Sequence, residues 1–90
     1  MYRLSYTDEA KKQILKLDER WKREIRIAVE EIAKTPSIGK SLTRELKGRF
    51  SYRVGDYRII YRIYHSEVVV LILTVGHRRD VYEKAARKVW

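Results

Sequence analysis

Ninety residues with 44% hydrophobic and 37% charged side chains describe one folded domain with a heavily charged surface. The absence of cysteine excludes disulfides, thiol chemistry and Cys-based zinc sites, and favours a reducing, cytoplasmic setting. A formal net charge of +9 points to a polyanionic partner, against the plainer reading of a basic protein kept soluble by its charge or meeting an acidic protein.

Residues 2–6 alternate, with Tyr2, Leu4 and Tyr6 on one side and Arg3 and Ser5 on the other, which predicts a short strand. No apolar stretch here is long enough for a signal peptide. Thr7 or Asp8 can cap a following helix. From Ala10 through Ile14, Leu17, Trp21, Ile25, Ala28 and Ile32, apolar residues step by three or four. One helix over 8–34 would run about 40 Å, too long for so small a domain to cover. The spacing therefore predicts a break near Leu17-Asp18-Glu19 and a helical hairpin that ends at Thr35-Pro36.

Residues 36–48 read as a basic polar connection, and three strands follow at 50–54, 57–64 and 68–75. Gly55-Asp56 is a tight turn between the first two. The last strand, with its apolar run from Val68 to Leu73, is apolar on both faces and far too short to span a membrane. It should be central and covered on both sides. Gly76-His77-Arg78-Arg79 reads as a loop. Asp80 can cap a final helix, with Glu83 completing a capping box and Val81, Ala85 and Val89 facing inward. The expected class is α+β: a small, curved, mostly antiparallel four-stranded sheet with an N-terminal helical hairpin and a short C-terminal helix, a single domain over 1–90.

A two-residue turn at Gly55-Asp56 places Arg53 directly opposite Arg58 and Ser51 opposite Ile60. Both arginines then leave the core on one face, where like charges repel. An anion between the guanidinium groups reverses the sign of that interaction, and arginine grips phosphate bidentately. Two side chains splayed into water are the bland alternative. Arg62 continues the face. Arg78, beside the start of the last helix, makes a second basic cluster with His77 and Arg79. Tyr82 there can stack on a base or exchange a proton, or simply pack on the sheet. Two histidines and no clustered carboxylates predict no metal, and no glycine-rich phosphate loop is present.

These motifs resemble the RelE/ParE superfamily of toxin–antitoxin toxins over nearly the whole chain. The resemblance rests on Leu46-Lys47-Gly48, on the hairpin Tyr52-Arg53-Val54-Gly55-Asp56-Tyr57-Arg58-Ile59-Ile60-Tyr61, and on Val75-Gly76-His77-Arg78-Arg79-Asp80-Val81-Tyr82. It implies a toxin whose RelE-like members cleave messenger RNA in the ribosomal A site by attack of a ribose 2′-OH on its own 3′ phosphate, with no metal and no cofactor. ParE members instead poison DNA gyrase, and both kinds are neutralised by an antitoxin with an acidic or amphipathic segment that wraps the toxin. Carried over by motif, Arg58 and Arg78 hold the phosphate and offset its charge. Arg53 holds the backbone and Tyr82 orients the base or moves a proton. Lys47, Arg49, Ser51, Arg62, His77 and Arg79 complete the expected RNA-binding set. Ser51 stands where the family has a lysine, which leaves the general base open among His77, Lys47, Arg49 and the ribosome. A gyrase poison and a silent antitoxin-binding module are the alternatives.

Overall fold

The computed structural model describes residues 1–87. Strand β1 (Arg3–Tyr6) leads into helices α1 (Asp8–Leu15) and α2 (Glu19–Lys34). Each helix is capped by the side chain before it: Thr7 Oγ1 accepts from the Ala10 N–H at 3.0 Å, and Asp18 Oδ1 accepts from the Trp21 N–H at 3.0 Å. The break predicted near residues 17–19 is thus an N-cap written into the sequence.

After a one-turn 3₁₀ helix at Pro36–Ile38 come β2 (Lys40–Ser41), a second such turn at Arg44–Leu46, β3 (Phe50–Val54), β4 (Tyr57–Tyr64), β5 (Val69–His77) and α3 (Val81–Arg87). The sheet has five strands, not four, in the order β1-β5-β4-β3-β2. The added strand is β2, which pairs antiparallel with β3 through Lys40↔Ser51 and Ser41↔Phe50. Among the described residues only the β1–β5 pair is parallel.

β5 lies inside the sheet between β1 and β4, and its two faces serve two cores. Ile25, Ala28, Val29 and Ile32 of α2 pack with Ile59, Tyr61, Val70, Ile72 and Val75 on one face. Leu46, Ile60, Leu73, Val81 and Ala85 form a smaller core on the other, under α3. Burying both faces accounts for the unbroken apolar run.

The register between β4 and β5 shifts after Ile60↔Thr74, resuming at Tyr61↔Ile72, so β5 carries one extra residue, Leu73, a β-bulge. Gln13 of α1 fills the irregularity. Its side-chain amide exchanges hydrogen bonds with Thr74 Oγ1, and its Oε1 accepts the Val75 N–H at 2.7 Å. Beyond the bulge the strand continues through Gly76 and His77, which are therefore strand and not loop. Its start is one residue later than expected because Val68 belongs to the turn, with φ of 55°.

The capping box does not form. The Asp80 N–H donates to the His77 carbonyl, and Glu83 pairs along the helix with Arg87. Val81 and Ala85 face inward as expected, whereas Val89 lies outside the described residues. Among those residues no helix is long and apolar enough to cross a membrane.

Candidate functional site

The Gly55-Asp56 turn gives the predicted register: Arg53↔Arg58 and Ser51↔Ile60. Alternation then sets Ser51, Arg53, Arg58 and Arg62 on the α3 face of the sheet. Arg58 lies opposite Gly76 on β5, where no side chain competes for the space above the strand.

Three side chains meet there. Arg58 Nη1 donates to Ser51 Oγ at 3.0 Å. Ser51 Oγ lies 2.9 Å from the Tyr82 hydroxyl. The Arg58 guanidinium sits over the Tyr82 ring, 5.5 Å from its centroid. Strand β3, strand β4 and helix α3 each supply one member. Arg58 and Tyr82 are half-buried, and Ser51 is only 2% exposed. At that depth Ser51 is closed off from direct contact with a ligand, which its place in the expected RNA-binding set would require; it joins the half-buried Arg58 and Tyr82 instead.

Arg53 is exposed and its Nε donates to the Gly55 carbonyl at 3.0 Å. Arg78 is tied to the same turn, its N–H donating to the Asp56 carbonyl at 2.8 Å, with the side chain exposed. In the turn just before α3, the Arg78, Arg79 and Asp80 N–H groups bond to the Asp56 carbonyl, His77 Nδ1 and the His77 carbonyl.

His77 does not join the cluster. It lies opposite Tyr57 and meets that ring edge-on at 6.2 Å, on the helical-hairpin face. Arg62 keeps the α3 face, but its guanidinium lies over Tyr64 at 5.5 Å. Lys47 and Arg79 are exposed, and half-buried Arg49 reaches the Glu45 carbonyl at 3.4 Å.

Among the described residues no carboxylate pairs with Arg53, Arg58, Arg62, Arg78 or Arg79, and no group of three or more His, Cys, Asp or Glu side chains is placed to hold a metal. The charge is also unevenly spread. Residues 8–34 carry eight basic and seven acidic side chains, whereas residues 35–90 carry twelve basic and five acidic. The positive field belongs to the part of the chain that builds this site.

A second surface lies elsewhere. α1 and α2 border a groove of about 430 Å³ with Tyr6, Ile14 and Leu15 on its apolar wall and Lys11, Lys22 and Arg26 around it. Leu15 at its edge is 71% exposed. Burial raises the Tyr6 phenol above its ordinary value, and nearby Glu30 adds to the rise.

The family described as ParE toxin of type II toxin–antitoxin system, parDE, matches residues 4–82. The chain belongs to the RelE/ParE superfamily of type II toxins. It is similar to Toxin RelG of Mycobacterium tuberculosis, 38% identical over 85 residues that cover 92% of this chain and 98% of the relative. Among solved structures, this RelE/ParE toxin is similar to a chain of the RelBE2 toxin–antitoxin complex of M. tuberculosis, with 38% identity, a TM-score of 0.77, and coverage of 86% of this chain and 98% of that one. The isolated RelE toxin of E. coli shares its fold, with a TM-score of 0.75 at 24% identity over 97% of each chain.

Proposed function

We propose that this toxin is a ribosome-dependent messenger RNA endoribonuclease. The observation that carries the reading is the contact of Arg58, Ser51 and Tyr82 in a field of arginines that no described carboxylate neutralises. An anion is the missing partner for such a cluster, and a phosphate with an aromatic ring beside it suits RNA.

The chemistry follows from the groups present. The 2′-oxygen attacks the adjacent phosphorus and the bond from phosphorus to the 5′-oxygen breaks. The 2′-hydroxyl loses a proton and the 5′-oxygen gains one, leaving a 2′,3′-cyclic phosphate and a 5′-hydroxyl. Arg58 offsets charge building on the phosphate oxygens, with Arg78 beside the turn. Arg53 holds the strand next to the cut, and Tyr82 faces the reacting phosphate. The reaction consumes no cofactor.

A cognate antitoxin belongs to the same reading. The apolar groove with its basic surround between α1 and α2 suits an acidic amphipathic segment of that partner.

The test is a cell-free translation reaction in which transcript 5′ ends are mapped with wild type and Arg58→Ala. New ends at codons under translation with wild type alone support the reading. A second reading, inhibition of DNA gyrase, is favoured by the ParE description of the matching family. It predicts intact transcripts and loss of supercoiling activity when the protein is added to purified gyrase.

A further inference from the structure

This inference rests on the endoribonuclease reading, which leaves one contact unexplained: a buried serine hydroxyl set between Arg58 and Tyr82. The geometry points to Ser51 as a positioning residue that turns the Tyr82 hydroxyl proton out toward the RNA, in a fixed order Arg58 → Ser51 → Tyr82.

The order follows from counting donors. A serine hydroxyl has one proton to give and two lone pairs to accept with. One lone pair takes the Arg58 Nη1–H, since a guanidinium only donates. The remaining contact is with the Tyr82 oxygen at 2.9 Å. If Tyr82 donated to Ser51, the serine proton would need a third partner, and the hydroxyl has none among the described residues at 2% exposure. Buried donors are satisfied in folded proteins. Ser51 therefore donates to Tyr82. A hydroxyl that accepts from a cation is also a better donor, so the two bonds reinforce each other.

The consequence lies in the phenol. Its oxygen is occupied on the inner side by Ser51, so its own proton points away from the sheet, to the half-exposed side of Tyr82. There it can pass to the 5′-oxygen as the phosphorus–oxygen bond breaks, while the 2′-hydroxyl proton goes to water. The tyrosine oxygen keeps the electron pair and is held by the Ser51 O–H and the overlying Arg58 charge until water returns a proton. The serine thus leads the Arg58 charge to the tyrosine.

The experiment compares wild type, Ser51→Ala, Ser51→Thr, Tyr82→Phe and the double variant Ser51→Ala/Tyr82→Phe in translating ribosomes, with the Tyr82 Cζ signal followed by NMR in isotope-labelled protein. Ser51→Ala should lower kcat by about ten- to a hundredfold, less than the roughly hundred- to ten-thousandfold that a general acid itself contributes, because the donor is displaced and not removed, with KM unchanged. Ser51→Thr should recover most of that loss. The double variant should be no slower than Tyr82→Phe alone. The Tyr82 signal should move in Ser51→Ala and return in Ser51→Thr. A signal unmoved by Ser51→Ala overturns the inference, and so does a folded Ser51→Ala protein that cleaves at the wild-type rate. Losses that multiply in the double variant overturn it too, since Ser51 would then act apart from Tyr82. Transcripts left intact by the wild type would fail the endoribonuclease reading, and this inference with it.

Discussion

Arg53 and Arg58 face each other across β3 and β4, yet their guanidinium groups part. Arg53 folds back on the carbonyl of Gly55, and Arg58 reaches inward to Ser51 and Tyr82. The repulsion expected of directly opposed like charges is relieved by this divergence, and it leaves the two arginines different in kind. One is exposed at the turn; the other is half-buried and held in place.

Arg58→Ala is expected to remove cleavage, by at least about a hundredfold, as loss of a preorganised charge on the reacting phosphate does. Its stability cost should stay at about 1–2 kcal/mol, because one hydrogen bond and the contact over the Tyr82 ring are lost while Ser51 keeps Tyr82. Urea denaturation beside the 5′-end mapping assay separates the two effects.

Arg53→Ala should act on binding. The side chain is exposed and its bond is to the backbone of its own turn. Removing a phosphate contact raises KM, leaves kcat nearly unchanged and lowers the slope of log affinity against log salt by about one. A salt titration of the cleavage KM checks this.

Gly55→Ala should destabilise the fold by about 2–4 kcal/mol and weaken cleavage with it. Gly55 has φ of 59°, unfavourable for alanine. An added Cβ would also lie 2.5 Å from Cη2 and 2.8 Å from Cζ3 of Trp21, so overpacking adds to the strain. α2 thus braces the turn that aligns Arg53 with Arg58. Thermal melting and the mapping assay on the same sample test both halves.

The pH dependence follows from two tyrosines. Burial raises the Tyr61 phenol, with Tyr52 adding and the Gly39 N–H opposing. Tyr6 is raised by burial and then by Glu30. A group raised in the folded state holds its proton more tightly there, so its contribution is full below about pH 10, the unfolded tyrosine value, and is lost as pH rises through the folded value. The urea midpoint should hold up to about pH 10 and fall as pH rises above it. In Tyr6→Phe, which cannot ionise at that position, the fall should be shallower.

Leu15→Asp is expected to weaken antitoxin binding while cleavage by the free toxin stays intact. Leu15 is exposed at the edge of the α1–α2 groove, and an acidic residue there would repel an acidic segment. Titration of the antitoxin into the cleavage reaction reads both quantities.

The β3–β4 hairpin was legible in the sequence because Gly55-Asp56 fixes a two-residue turn and alternation does the rest. The helical break was legible because Asp18 is a capping residue at the point where length forbids one helix. Lys40–Ser41 was not, since two polar residues carry no period and become a strand only by pairing with β3. The end of β5 reads as loop in the sequence because Gly76 and His77 follow the apolar run as a glycine and a polar residue, and they become strand only by pairing with Arg58 and Tyr57 of β4. Ser51 stands in the expected RNA-binding set although the predicted register sets it opposite Ile60, an apolar residue in mid-strand, which already implies its burial. His77 needed the continued strand to show which face it takes.

The bulge also governs when the site can exist. Without the extra residue, Val75 would point toward α3. With it, Gly76 lies beneath Val81, where even a Cβ would come to 3.3 Å of the valine side chain, and α3 settles close enough for Tyr82 to meet Ser51. Gln13, some sixty residues away in the chain, satisfies the backbone at that irregularity. No local segment therefore contains the Arg58–Ser51–Tyr82 contact: it draws on α1, the sheet and α3 together, so a toxin that acts through it would be armed only once its fold is complete.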